Sequence, residues 1–173
     1  ARGAFSGAAV VLANDSAEVL AYVAAARFGE AYPGGAMDLL RAPRQPGSLM
    51  KPLVYEMLFA RGATPATTLA DVQDRLRGAR GVSFFARDYD GRERGPVTAR
   101  RALASSLNLA ALDAAAQVGA ADIVARLRSL GLRAAHAAER YGEAVVLGGV
   151  AVTALPMAAV SAALARGGTL LPP

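Results

Sequence analysis

Arg44-Gln45-Pro46-Gly47-Ser48-Leu49-Met50-Lys51-Pro52 is where the chain declares its chemistry. Ser48 and Lys51 stand three residues apart at the predicted start of a helix. On a helix that spacing places two side chains on one face, one turn from each other. A hydroxyl beside an amine is what an acyl-transfer nucleophile needs where no histidine serves. The helix is expected from about Leu49 to Ala60, with Ser48 at its N-cap or first position and Pro52 tolerated in the first turn. Leu53, Met57 and Leu58 form its apolar stripe, and Arg61-Gly62 closes it. The partial positive charge of the helix N-terminus favours a developing oxyanion there. Lys51 is the candidate base or electrostatic partner, provided it is buried or paired enough to give up its proton. Taken alone, a serine and lysine at this spacing also fit an N-cap beside a surface lysine.

A second polar element, Ser106-Leu107-Asn108, falls at the break between two alanine-rich helical stretches. Alternation puts Ser106 and Asn108 on the same side if the break is extended. A hydroxyl there could relay a proton to or from Lys51. An amide could donate to a substrate carbonyl and accept from Lys51. Each residue singly also fits a helix junction that satisfies free backbone groups.

Outward from these elements, Val10-Val11-Leu12-Ala13, the turn residues Asn14-Asp15-Ser16 and the stretch Glu18 to Val23 predict a β-hairpin. Residues 27–47 read as loop, marked by Pro33-Gly34-Gly35, Pro43 and Pro46-Gly47. Residues 63–97 read as irregular, with Pro65, Gly78, Gly81, Gly91, Gly95 and Pro96; a loop of that length is functional or mobile as a rule. Thr98 is an N-cap candidate for a helix to about Ser105. Further helices are expected over about 109–118, 120–130 and 155–166, with Gly119, Gly131 and Gly167-Gly168 as stops. All strand content is expected near the N-terminus, and the fold class is α+β.

Composition narrows the chemistry. The chain has 173 residues, 54% of them hydrophobic, and a formal charge of +5, so it can bury one core. Its arginines are scattered, without a dense basic block or interleaved aromatics, and read as solvated surface rather than a nucleic-acid interface. The absence of cysteine removes disulfides, thiolate metal sites and cysteine nucleophiles together. His136 is the only histidine, so neither a Ser-His-Asp triad nor a histidine metal cluster can be assembled. No metal or organic cofactor is expected. Asp88, Asp90 and Glu93, among Arg87, Arg92 and Arg94, read as a solvated mixed-charge loop. Ala144 to Ala165 carries no charge and is long enough to span a bilayer, but its Gly148-Gly149, Thr153, Pro156 and Ser161 favour a buried turn and a core helix. No secretion signal opens the chain, which points to a cytoplasmic protein or an internal piece of a longer one.

Several stretches, in order, resemble the transpeptidase domain of class A (bifunctional) penicillin-binding proteins, most closely those of the 1C type. Serine and lysine at this spacing, a later S-x-N element and K-T-G form the pattern of penicillin-binding proteins and class A β-lactamases. Val10 to Ala24 resembles the family's opening hairpin, and Arg44 to Pro52 its serine block. Asp88-Tyr89-Asp90-Gly91-Arg92 with Arg94-Gly95-Pro96-Val97 resembles the approach to the second motif, and Ala102 to Leu109 that motif itself. Tyr141-Gly142 through Leu147-Gly148-Gly149, then Ala162 to Gly168, resemble the downstream core helix and its end.

The resemblance implies a penicillin-binding, serine β-lactamase-like fold. Here it would hold mostly the helical part plus the N-terminal hairpin, as one partial domain over residues 1–173. It implies a D,D-transpeptidase of peptidoglycan stem peptides ending in D-Ala-D-Ala, acting on the periplasmic or extracytoplasmic face of a bacterial inner membrane and anchored through a parent chain. Ser48 would be the nucleophile, Lys51 the base, Ser106 the proton relay and Asn108 the substrate-binding amide; β-lactams would acylate the same serine.

Ala24 replaces the family's usual glycine and Ala110 its common proline, and K-T-G is missing. The resemblance assigns K-T-G carboxylate recognition, and its strand one oxyanion-hole N–H. A chain truncated before the later strands would leave the hairpin edge open, favouring lower stability or self-association. Two readings stay open: an acyltransferase with an impaired oxyanion hole, and a catalytically inactive module that binds cell-wall peptide or a partner.

Overall fold

Branched and aromatic residues on either side of an Asn-Asp-Ser turn make the first element. In the computed structural model, which describes residues 6–29, 31, 34–73, 76–77, 83–84 and 86–173, strands β1 (Ala9–Leu12) and β2 (Val19–Val23) pair antiparallel. Ala9 lies opposite Val23 and Val11 opposite Ala21, and the register slips between Val11 and Leu12. Asp15 Oδ1 accepts the Ser16 N–H at 2.9 Å, and Ser16 Oγ accepts that of Glu18 at 3.3 Å, so the turn satisfies itself locally. The chain divides into two compact units, residues 1–44, 129–133 and 152–173, and residues 45–128 with 134–151.

In the first unit β1 packs on the last helix, α6 (Ala154–Ala165), whose Met157, Ala159, Val160, Ala162 and Ala163 are buried. The helix ends at Gly167-Gly168, both with positive φ. Arg44 and Val152 exchange two backbone hydrogen bonds of 2.9 Å, and Arg166 Nη1 donates to the Asn14 carbonyl at 2.7 Å. The whole of β2 is exposed, Leu20 by 61%, and the hairpin pairs with no third strand among the described residues.

The second unit carries the polar elements. Helix α1 (Lys51–Ala60) follows a 3-10 turn over Gly47–Met50. Strand β3 (Thr68–Asp71) pairs antiparallel with β6 (Gly95–Thr98), Thr68 opposite Thr98 and Asp71 opposite Gly95. The short strands β4 (Leu76–Arg77) and β5 (Ser83–Phe84) pair between them. The expectation that residues 63–97 are irregular and that strands are confined to the N-terminus is therefore corrected. These strands are at most four residues long, and Pro96 has no N–H for the ladder, which hides the signal. The predicted turn at Pro33, the loop glycines Gly78 and Gly81, and Arg2, Arg75 and Arg80 lie outside the described residues.

Thr98 does cap helix α2 (Ala99–Ala104), its Oγ1 accepting the Arg101 N–H at 3.3 Å. Helix α3 (Asn108–Val118) is the centre of the unit, with Leu109, Ala110, Ala111, Leu112, Ala114, Ala115 and Val118 buried. Its alanines let α1, β3 and a 3-10 stretch over Gly142–Leu147 approach closely. Helix α4 (Ala120–Ser129) buries Ile123, Val124 and Leu127, and a short α5 (Ala138–Tyr141) precedes the 3-10 stretch. Of the apolar run from Ala144 to Ala165, the first part is that turn and the rest enters α6. No helix among the described residues is long and apolar enough to cross a membrane.

Candidate active site

Ser48 is presented by backbone geometry. Gly47 has φ +59°, a left-handed conformation that suits glycine, and the 3-10 turn it begins runs straight into α1. The predicted placement of Ser48 at the N-cap of an α-helix is thus corrected: Met50 occupies the cap position of α1, and Ser48 sits in the 3-10 turn before it. Met50 and Leu53 are buried and anchor the turn, while Ser48 is exposed. Gly148, φ +84°, braces the turn from behind. A Cβ at that position would lie 2.2 Å from the Gly47 nitrogen and 2.5 Å from its Cα.

Lys51 is 1% exposed. Its ammonium donates to the Ser106 carbonyl at 2.6 Å, to Ser106 Oγ at 3.2 Å and to Asn108 Oδ1 at 2.7 Å. An ammonium has three protons, and all three are used. Burial pushes its pKa down from the ordinary lysine value, and the negative charge of Asp88 opposes that shift. The Ser48 hydroxyl makes no hydrogen bond among the described residues, so the predicted direct Ser48–Lys51 pairing is not formed in this state. Lys51 is also the only lysine of the chain; the other 18 of its 19 basic residues are arginine.

The break between α2 and α3 is a left-handed turn and not the extended segment expected. Ser106 has φ +51°; its N–H donates to the Leu103 carbonyl at 3.0 Å, and that of Leu107 to the Ala102 carbonyl at 2.9 Å. This is the hydrogen-bond pattern that closes a helix on a left-handed residue, a place glycine normally takes. A serine there costs about 1–2 kcal/mol in backbone strain. The strain turns both the carbonyl and the hydroxyl of Ser106 onto Lys51. Asn108, the first residue of α3, completes the set, its Nδ2 donating to the Arg87 carbonyl at 2.8 Å. The four residues picked out from sequence thus lie in one region, three of them in direct contact.

Sequence reasoning missed the support behind them. Asp88 is buried, and its Oδ1 accepts the N–H groups of Asn108 (2.5 Å) and Leu109 (3.2 Å) at the start of α3. Its Oδ2 accepts from Arg94 Nη1 at 2.8 Å; the same guanidinium reaches Asp71 at 3.3 Å and Asp90 at 2.5 Å. Asp71 is fully buried, and burial together with the adjacent Asp88 carboxylate raises its pKa. The solvated mixed-charge loop expected here is corrected to a partly buried ion cluster. The sequence's only hint was a run of alternating charges, which looks the same when solvated.

Beside Ser106 opens a cavity of about 350 Å³, lined by Tyr89, Arg94, Arg101 and Ser105 among others. His136 is exposed, its backbone N–H donating to the Tyr141 hydroxyl at 3.0 Å. No group of side chains suited to hold a metal ion occurs among the described residues.

Residues 7–173 match the family model described as penicillin binding protein transpeptidase domain. Penicillin-binding protein 1B of Vibrio cholerae is 36% identical over 127 residues, 72% of this chain and 16% of that protein. Penicillin-binding protein 1C of Escherichia coli is 34% identical over 138 residues, 78% of this chain and 17% of that protein. The chain therefore spans about a sixth of the length of these relatives. Among solved structures, penicillin-binding protein 1A from Haemophilus influenzae superposes with a TM-score of 0.84 at 24% identity, covering 97% of this chain and 24% of that one. A matching family model over nearly the whole sequence, relatives above 30% identity and a shared fold agree: this chain belongs to the penicillin-binding protein transpeptidase family.

Proposed function

We propose that the chain carries the acylation machinery of a peptidoglycan D,D-transpeptidase, with Ser48 as nucleophile. The observation that carries this reading is Lys51: a buried amine one turn from an exposed serine, held by Ser106 and Asn108 and, among the described residues, in salt-bridge contact with no carboxylate.

For acylation Lys51 must be the neutral amine. With two protons and one lone pair, it keeps its two short contacts, to the Ser106 carbonyl and Asn108 Oδ1. It releases the longer one to Ser106 Oγ and offers the lone pair to the Ser48 hydroxyl. Ser48 Oγ bonds to the carbonyl carbon of the penultimate D-alanine while its proton passes to Lys51. The tetrahedral intermediate collapses by breaking the peptide C–N bond. The leaving amine of the terminal D-alanine takes a proton from Lys51 through Ser106 Oγ. The resulting ester is then attacked by an acceptor amine, which forms the cross-link and returns the proton to Ser48. A penicillin follows the first half of this course, its ring amide opening onto Ser48. Asn108 Nδ2 is the donor able to turn from the Arg87 carbonyl to the substrate.

Residues 1–173 are read as one transpeptidase domain, working outside the cytoplasmic membrane on stem peptides ending in D-Ala-D-Ala. The second reading is a module without catalysis. It is favoured by the Ser48 hydroxyl, which makes no hydrogen bond among the described residues. The first reading expects acylation of Ser48 and the second none. Intact mass after incubation with a penicillin, on the parent and on Ser48→Ala, separates them. A gain of one penicillin on the parent alone supports the proposal; no gain from folded parent protein refutes it.

A further inference from the structure

We propose that Asp88 is the positioning residue of this site, fixing the start of α3 so that Asn108 and Ser106 meet Lys51 while keeping a negative charge behind that lysine. This rests on the functional reading above only for its kinetic arm. Three observations carry it. One carboxylate oxygen of Asp88 takes two successive N–H groups at the start of α3, and the first belongs to Asn108 itself. The other oxygen is gripped by Arg94, which is in turn tied to Asp71 and Asp90. Asp88 is 6% exposed and Asp71 fully buried, so the cluster is built into the unit.

The side chain of Asn108 is thus set from two sides of one loop: its backbone by the Asp88 carboxylate, its amide by the Arg87 carbonyl. Moving Asp88 moves Asn108 Oδ1 off Lys51, and with it the turn that carries Ser106. The charged neighbours divide by element. Lys51 faces Asp88 from α1, Asp71 belongs to the cluster from β3 and Arg94 and Asp90 from the loop itself, while the charges of Asp113, Asp71 and Asp88 act on Tyr55 of α1. Burial first, and the neighbouring Asp88 carboxylate after it, raise the pKa of Asp71 beside this cluster.

The test uses Asp88→Asn and Asp88→Ala in the full chain. Because Lys51 is the sole lysine, ¹⁵N-lysine labelling gives one side-chain titration, and ordinary backbone labelling gives the Asn108 and Leu109 amides. Asp88→Asn keeps an acceptor oxygen but loses the charge. The two amides should stay protected from hydrogen exchange while the Lys51 midpoint moves to lower pH. In Asp88→Ala both amides should exchange about 10- to 100-fold faster, the loss expected for a charged acceptor. Where the parent is acylated by penicillin, the acid limb of the rate profile should move to lower pH in Asp88→Asn. A Lys51 midpoint unmoved in Asp88→Asn overturns the proposal; if Asp88→Ala folds, unchanged protection there overturns it as well. Should the parent resist acylation altogether, the transpeptidase reading falls, and the titration and exchange still decide the role of Asp88.

Discussion

Replacing Gly148 with alanine tests whether main-chain contact holds the nucleophile's turn. The new Cβ would meet the Gly47 nitrogen at 2.2 Å, its Cα at 2.5 Å and its carbonyl oxygen at 3.0 Å, all of them backbone atoms. Relief needs a displacement of about 1 Å, because ordinary contact begins near about 3.4 Å. The left-handed φ of +84° adds about 1–2 kcal/mol for any residue with a Cβ, and overpacking adds about 1–3 kcal/mol. Gly62→Ala is the control: φ is +97°, but nothing lies within 4 Å of its Cβ position, so it carries only the conformational cost. Denaturant unfolding of the two variants should therefore place Gly148→Ala about 1–3 kcal/mol below Gly62→Ala. Its penicillin acylation rate should fall about 100-fold, the scale set by a misplacement of 1 Å. Equal midpoints, with unchanged acylation of Gly148→Ala, would refute the idea that Gly47 is braced through Gly148.

Ser106→Gly should be about 1 kcal/mol more stable than Ser106→Ala, since only the latter keeps a Cβ at φ +51°; both should acylate more slowly than the parent. Lys51 has a lowered pKa in the folded state, so unfolding takes up a proton between that value and the ordinary lysine value near about 10.4. Stability should rise with pH through that window, and Lys51→Met should remove the rise in a pH series of unfolding curves. Asp71 is shifted the other way: its stabilising contribution is present at acid pH and declines as pH climbs from about 3.9 through its raised folded value. Asp71→Asn should flatten that decline and change neutral-pH stability by less than about 1 kcal/mol, whereas Asp71→Ala should destabilise. Sedimentation over a wide concentration range should detect self-association through the exposed β2 strand, and Leu20→Lys should suppress it.

What could be read from the sequence was what repeats locally. Ser48 and Lys51 are joined by one helical turn, so their proximity follows from spacing alone. The hairpin, the Thr98 cap and the glycine stops of α3, α4 and α6 follow from local conformational preference. Ser106 and Asn108 were legible as a polar break between alanine helices, but the left-handed turn that makes them converge was not, because a serine seldom adopts it. The Asp88–Arg94–Asp71 cluster was illegible for another reason. Its members lie on a loop, the approach to β6 and the end of β3, and only pairing of β3 with β6 brings Asp71 to Arg94. The four-residue strands that do this carry too little periodicity to stand out.

The imbalance between one lysine and eighteen arginines gains meaning from where the lysine lies. Arginine provides permanent charge, and every other basic position in this chain is occupied by it. A guanidinium does not surrender its proton in a protein. Among the 19 lysine and arginine side chains, the one at position 51 is alone in being able to give up its proton, and burial pushes its pKa down. Composition itself thus marks the atom at which proton transfer is possible, and Lys51→Arg, which preserves the charge and the helix, should leave a site that binds but does not turn over.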